Sequence, residues 1–148
     1  MQVSQKCLYA LRAIFELAKR RDDGPTKIAD VAEAQAIPQR FLESILSQLK
    51  QAGFVESHRG SNAGYVLIRS ADEITVGEII EFVEGPIGPT ACIIGKSNVN
   101  ECPLRSQCIF MGMWEEIHNV ISEVYSRTTI GDLVRREDEQ APPCKVKE

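Results

Sequence analysis

Cys92, Cys102 and Cys108 lie within one 17-residue stretch of a loop rich in Gly and Pro. The chain begins Met1-Gln2-Val3-Ser4-Gln5-Lys6, without a basic-then-apolar leader, so a cytoplasmic location is expected, where thiols stay reduced. Clustered thiols in that setting point to metal ligation or redox chemistry. The spacing Cys92-x9-Cys102-x5-Cys108 matches neither the paired C-x2-C knuckles of a zinc ribbon nor a ferredoxin run. Soft thiolates suit zinc, copper(I) or an iron–sulfur cluster, and the spacing alone leaves all of these open.

The rest of the chain must position that loop. With 148 residues, 43% of them hydrophobic, it can bury the core of one compact domain plus a helical appendage that a partner covers. The formal net charge of −4 is unevenly spread. Residues 1–70 hold ten Lys and Arg against seven Asp and Glu, whereas residues 71–148 hold seven against fourteen. Only the first half is electrostatically suited to phosphate. No apolar run approaches the roughly 18 residues that cross a bilayer, so no membrane association is expected. Neither a Ser-His-Asp arrangement nor a phosphate loop is present, which argues against an enzyme.

The first helix is predicted over about Val3–Arg20, with Cys7, Leu8, Leu11, Ile14, Phe15 and Ala18 on its buried face. Arg20–Pro25 stops it. Thr26 is the expected N-cap of a short second helix that buries Ile28, Val31 and Ala32. After a break at Gln35-Ala36-Ile37, Pro38 opens a third helix burying Phe41, Leu42, Ile45, Leu46 and Leu49, with Gly53 as its C-terminal cap. A short helix, a tight turn and a second helix make a helix-turn-helix pattern. Two β-rich runs, Phe54–Ser57 and Tyr65–Ile68, then flank the polar segment His58–Gly64 and read as a wing.

On this reading the exposed start of the third helix presents Gln39, Arg40, Glu43 and Ser44 to DNA. Gln and Arg have the geometry to read adenine and guanine edges, and Glu accepts from a cytosine amino group. At the wing tip Arg59, with Gly60 and Ser61, is placed to reach a minor groove or a phosphate. A helix capped by Thr75 and Gly85 follows, packing Val76, Ile79, Ile80 and Val83 on the core. Pro86-Ile87-Gly88-Pro89 opens the cysteine loop.

From about Arg105 to Arg127 a long helix is predicted, with Phe110, Trp114, Ile117, Ile121 and Val124 at alternating steps of four and three. That heptad spacing suits a helix paired with its copy in a homodimer, and winged helices reading palindromes are commonly dimers. Thr128–Val134 should form a short closing helix, and the charged tail Glu137–Glu148 should be disordered.

Five segments in this order carry a family resemblance. They are Tyr9-Ala10-Leu11-Arg12, Ile37–Glu43, Ser57-His58-Arg59-Gly60 with Gly64-Tyr65, Ile74–Ile80 and Thr129–Val134. Together they resemble the bacterial winged-helix transcriptional regulators of the IscR/NsrR (iron-sulfur cluster regulator) family, over roughly residues 1–137. The resemblance implies a homodimeric, DNA-binding transcription factor, a repressor or activator, whose three loop cysteines hold a 2Fe-2S or 4Fe-4S cluster that controls DNA affinity. By position Glu43 and Arg59 correspond to sequence-reading residues, and Cys92, Cys102 and Cys108 to cluster ligands.

Two departures stand out. Nine residues separate the first two cysteines, more than is typical of the family. Met111 and Leu8 occupy the positions where the two familiar branches place a His or an Asp as fourth ligand. Cys7, beside Leu8, and Cys144 in the tail are therefore candidate fourth ligands, with Asn100 and Glu101 as candidate oxygen donors and His118 expected in a surface role.

The expected fold is mainly α with a small β-wing. The expected division is a winged helix-turn-helix domain over 1–84, a sensor loop over 85–108, a dimerisation helix and closing helix over 109–136, and a tail over 137–148. Alternatives are a cluster-free regulator using a dithiol or zinc switch, and a regulator that acts by binding a metabolic enzyme.

Overall fold

The computed structural model describes residues 2–96 and 102–140. Six helices and one hairpin follow in order: α1 (Gln5–Lys19), α2 (Ile28–Gln35), α3 (Gln39–Gln51), β1 (Val55–His58), β2 (Gly64–Leu67), α4 (Val76–Glu84), α5 (Met111–Arg127) and α6 (Ile130–Gln140). The fold is mainly helical with a two-stranded antiparallel wing, as the periodicities predict.

α1 is the hub, packing against α2, α3, α4, α6 and β2. Its buried face is Cys7, Ala10, Ala13, Ile14 and Leu17. This differs from the expected face, because Leu8 is exposed while Leu11, Phe15 and Ala18 are only half-buried. The small side chains of Ala10 and Ala13 let neighbouring helices come close, so the core tracks the alanines rather than the bulkiest residues. Glu16 is buried beside this face, and its carboxylate accepts from Arg20 Nε and Gln35 Nε2, each at 2.6 Å. Burial alone would raise its pKa, but the hydrogen bonds from Gln35 and Arg20 outweigh burial and hold the carboxyl below its usual range.

Thr26 does not cap α2. Its N–H donates to Tyr65 O (3.0 Å) and its carbonyl accepts from Tyr65 N–H (2.8 Å), which clamps the wing to the entrance of α2. Lys27 occupies the N-cap position instead. Gly64 is required at this clamp, since its φ is +153° and a Cβ there would run into the Thr26 backbone. α2 closes on Ala36, a non-glycine residue in the left-handed region at φ 52°. The helix-turn-helix angle is thus held by a backbone conformation that costs an L-residue about 1–2 kcal/mol.

α3 buries Leu42, Ile45, Leu46 and Leu49, but Phe41 is exposed, with the Arg40 guanidinium 4.7 Å from its ring centroid. α4 begins with a capping box in which Thr75 accepts from Glu78 N–H while Glu78 accepts from Thr75 N–H. Ile74 and Thr75 also bridge to the start of α6: Ile130 N–H donates to Ile74 O (2.9 Å) and Val76 N–H to Thr128 O (2.9 Å).

The second half departs from expectation at both helix ends. Arg105–Gln107 is one 3-10 turn, Cys108 is extended, and α5 starts only at Met111. The carbonyls of Cys102 and Cys108 accept turn-closing bonds from Arg105 and Met111, so the chain reaches α5 through two turns rather than one continuous helix. α6 runs on to Gln140, through Glu137–Gln140 of the expected tail, because Lys19 pairs with Glu137 (2.7 Å) and Arg135 with Asp72 (2.7 Å). Residues 141–148, including Cys144, lie outside the described residues, as do Asn100 and Glu101.

Candidate nucleic-acid interface and thiol loop

Two surfaces hold the candidate residues. On the first turns of α3, Gln39, Arg40, Glu43 and Ser44 are all exposed, because the buried set Leu42-Ile45-Leu46-Leu49 occupies the opposite flank. Residues three and four apart share a helix face, so these four side chains form one patch. Arg59, Gly60 and Ser61 are exposed at the tip between β1 and β2. Lys50 Nζ donates to Ser57 Oγ at 2.6 Å and ties the end of α3 to the first wing strand. The wing is therefore braced to α3 through Lys50–Ser57 and to the entrance of α2 through Thr26–Tyr65.

The second surface is the loop between α4 and α5. Cys92 lies half-buried in a turn, its Sγ sharing a hydrogen bond with Thr90 Oγ1 at 3.0 Å. Cys102 is exposed and Cys108 half-buried. Among the described residues, no three His, Cys, Asp or Glu side chains are gathered into a metal-binding set. Three thiols do fit an iron–sulfur cluster or zinc in donor type, as three of its ligands. Met111, the first residue of α5, is half-buried and offers only a thioether.

Cys7, a candidate fourth ligand, stands on α1. It is fully buried in the core, and burial, with the nearby Glu84 carboxylate adding to it, pushes its thiol up to about 11. There it packs as a small apolar side chain, and service as a ligand would require its deprotonation by the bound metal. Its backbone is nonetheless informative: Ser4, the N-cap of α1, accepts from Cys7 N–H, and Glu84 accepts from both the N–H and the hydroxyl of Ser4. The end of α4, where the thiol loop departs, is thereby fastened to the start of α1.

α5 carries no fully buried residue. Of the expected stripe, Phe110 and Val124 are exposed, while Trp114, Ile117 and Ile121 are half-buried. Met113 and Val120 are also exposed, so Phe110, Met113, Val120 and Val124 form the solvent-facing seam, which passes over the half-buried Ile117 in steps of three and four. Leu104 and Ile109 extend this apolar surface onto the loop. The sequence reading missed Met113 and Val120 because it followed the neighbouring 110-114-117-121-124 ridge. His118, expected in a surface role, is half-buried and lines a cavity against α4. The polar spacing His118-Ser122-Ser126 was the available signal.

No described helix is long and apolar enough to cross a membrane. A family model described as Rrf2, an iron-dependent transcriptional regulator, matches residues 3–136. The transcriptional regulator CymR of Bacillus subtilis is 36% identical over 138 residues, covering 93% of either chain. The transcriptional regulator IscR of Photobacterium profundum is 34% identical over 135 residues, 91% of this chain and 76% of that one. Among solved structures, CymR of B. subtilis superposes with a TM-score of 0.75 at 34% identity, over 92% of this chain and 98% of its own. IscR of T. potens superposes with a TM-score of 0.77 at 29% identity, over 96% and 92%.

Proposed function

The chain belongs to the Rrf2 family of transcriptional regulators and is not an enzyme; from that premise we propose that it is a homodimeric DNA-binding switch governed by the state of Cys92, Cys102 and Cys108. The observation that carries this reading is positional. The three thiols sit in the one loop that leaves α4, which is packed on the reading head, and enters α5, whose apolar seam faces outward. A chemical change in that loop acts where head and dimer axis meet.

DNA is read by the patch Gln39, Arg40, Glu43 and Ser44, with Arg59, Gly60 and Ser61 tracking the neighbouring groove or backbone. Pairing of two copies through the seam of α5 presents two such heads to a palindromic operator, since half-site spacing mirrors protein two-fold symmetry. An exposed apolar surface of this extent on a small protein calls for a cover, and a heptad-spaced helix is well covered by its own copy.

For the thiols the leading reading is an iron–sulfur cluster held by Cys92, Cys102 and Cys108. It is supported by the iron dependence in the family description and by the IscR relatives. When bound, such a cluster supplies sensitivity to iron supply and to oxidants. A second reading has its own support. The CymR relative is matched along nearly the full length of both chains, its structure is described as that of a global cysteine regulator, and the Staphylococcus aureus relative is known in an oxidized form. A cluster-free thiol switch is the form this reading takes here.

Anaerobic purification with native mass spectrometry and visible absorption separates them. The cluster reading predicts a bound iron and sulfide mass and a visible band, both lost in Cys92→Ala, Cys102→Ala and Cys108→Ala. A colourless protein, bare or carrying zinc or a disulfide, overturns it in favour of the alternatives.

A further inference from the structure

A cavity of about 480 Å³ opens between α4, the thiol loop and α5, within the size range of small-molecule sites. Its apolar wall is Ile93 and Ile94, next to Cys92, and its polar groups include Glu81, His118, Ser122 and Ser126. Two glycines permit this arrangement. A Cβ on Gly77 would lie 3.2 Å from the Tyr125 backbone, so α4 and α5 meet there more closely than most side chains allow without a small shift. A Cβ on Gly88 would collide with Ile94 and lie 3.4 Å from His118 Nδ1, so the loop folds down onto α5 at that point.

The cavity is independent of the apolar seam. Ser122 and Ser126 each stand two residues beyond a seam residue, Val120 and Val124, which puts them about 200° around the helix. A second copy on the seam leaves the cavity open.

Its charge selects the ligand. Glu78 and Glu81 line it and no Lys or Arg does. Glu78 is already engaged by Arg69 at 3.0 Å, whereas Glu81 pairs with no Lys, Arg or His among the described residues. An adjoining cavity of about 230 Å³ shares Pro86, Ile87 and Tyr125 and adds Glu84, again without Lys or Arg. Carboxylates, hydroxyls and an imidazole facing an aliphatic wall are complementary to a cationic head on a short apolar chain.

We propose that this cavity binds a small aliphatic amine, with its ammonium at Glu81 and its chain against Ile93 and Ile94. The proposal goes beyond the thiol reading and stands whether or not the loop carries a cluster. It adds a metabolite input to the same loop from the opposite side.

The test uses the full-length protein titrated with butylamine and putrescine at fixed pH and ionic strength, with butanol and butyrate as controls, followed by calorimetry and amide NMR. The expected result is saturable binding of at least one amine, with shifts at Ile93, Ile94 and His118 and no binding of butyrate. Glu81→Gln at this exposed carboxylate should weaken that binding about two- to fivefold. Ser122→Trp, which fills the cavity from an exposed position, should abolish it with an unchanged melting curve. Absence of saturable binding by both amines, equal binding of butyrate, or binding unaltered in both variants would overturn the proposal.

Discussion

Around α1 the chain closes on itself, whereas along α5 it turns its apolar side chains outward. The head buries a continuous core, from Ala10 and Ile14 on α1 through Leu42, Leu46 and Leu49 on α3 to Ile74, Ile79 and Ile130. α5, with 17 residues, buries none of them completely. The head thus brings α3 and the wing to fixed positions, and α5 presents an apolar surface that a second copy would cover on the reading proposed above. A sensor placed between two such regions can change their relation without unfolding either.

Breaking the head should cost most. Leu46→Ala removes a fully buried side chain where α3 meets the core, and is expected to lose about 2–5 kcal/mol in denaturant unfolding. Val120→Glu in the α5 seam should weaken self-association by about 2 kcal/mol or more, visible as a shift to the single-chain mass in light scattering. At high dilution its unfolding midpoint should match that of wild type. If Val120→Glu instead melts the head, the two regions are one cooperative unit.

The reading surface comes next. Arg59→Ala should weaken DNA binding by about 1–3 kcal/mol, while a change at Glu43 relaxes sequence preference more than affinity. Equal binding by wild type and Arg59→Ala at moderate salt would remove the wing from recognition.

Thiol alkylation sharpens the contrast between the regions directly. With exposed Cys102 and half-buried Cys92 and Cys108 set against a fully buried Cys7 whose thiol is pushed up to about 11, the loop cysteines should react in the native apo-protein and Cys7 only on unfolding. Peptide mass spectrometry after timed quenching reads the order.

The smallest effect concerns acid stability of the head. Glu16 has a folded pKa below its ordinary value of 4.5, so its contribution is fully present above pH 4.5 and drains away as pH falls through the folded value. Glu16→Gln should flatten the stability profile in that window and leave it unchanged in slope near neutrality.

The head was legible because its signals are local. Leu42, Ile45, Leu46 and Leu49 repeat at helical spacing, Gly60 and Gly64 mark the hairpin turn, and Thr75 stands at a cap position. Where the reading slipped, a tertiary contact outweighed a local preference. Thr26 looks like a cap but is claimed by Tyr65, and Phe41 looks like core but stacks under Arg40 at the surface. On α1 the buried face runs through the small residues Ala10 and Ala13, so the bulky apolar side chains did not mark it. The thiol loop was legible in its chemistry and not in its geometry, since an irregular segment has no period from which to place Cys92 against Cys102 and Cys108. The cavity beneath it depends on Gly77 meeting α5 and Gly88 meeting Ile94, contacts between distant segments that no local pattern encodes.

The central claim is that the three loop thiols set DNA affinity, and one binding measurement bears on it most directly. Fluorescence anisotropy on a duplex selected from a random library would compare anaerobic protein, the same protein after oxidant exposure, and the triple variant Cys92→Ala, Cys102→Ala, Cys108→Ala. The account predicts that oxidation changes the affinity of the wild type by about tenfold and leaves the triple variant's affinity unchanged. Identical affinities for the two states of the wild type, or a triple variant that still responds, would contradict it.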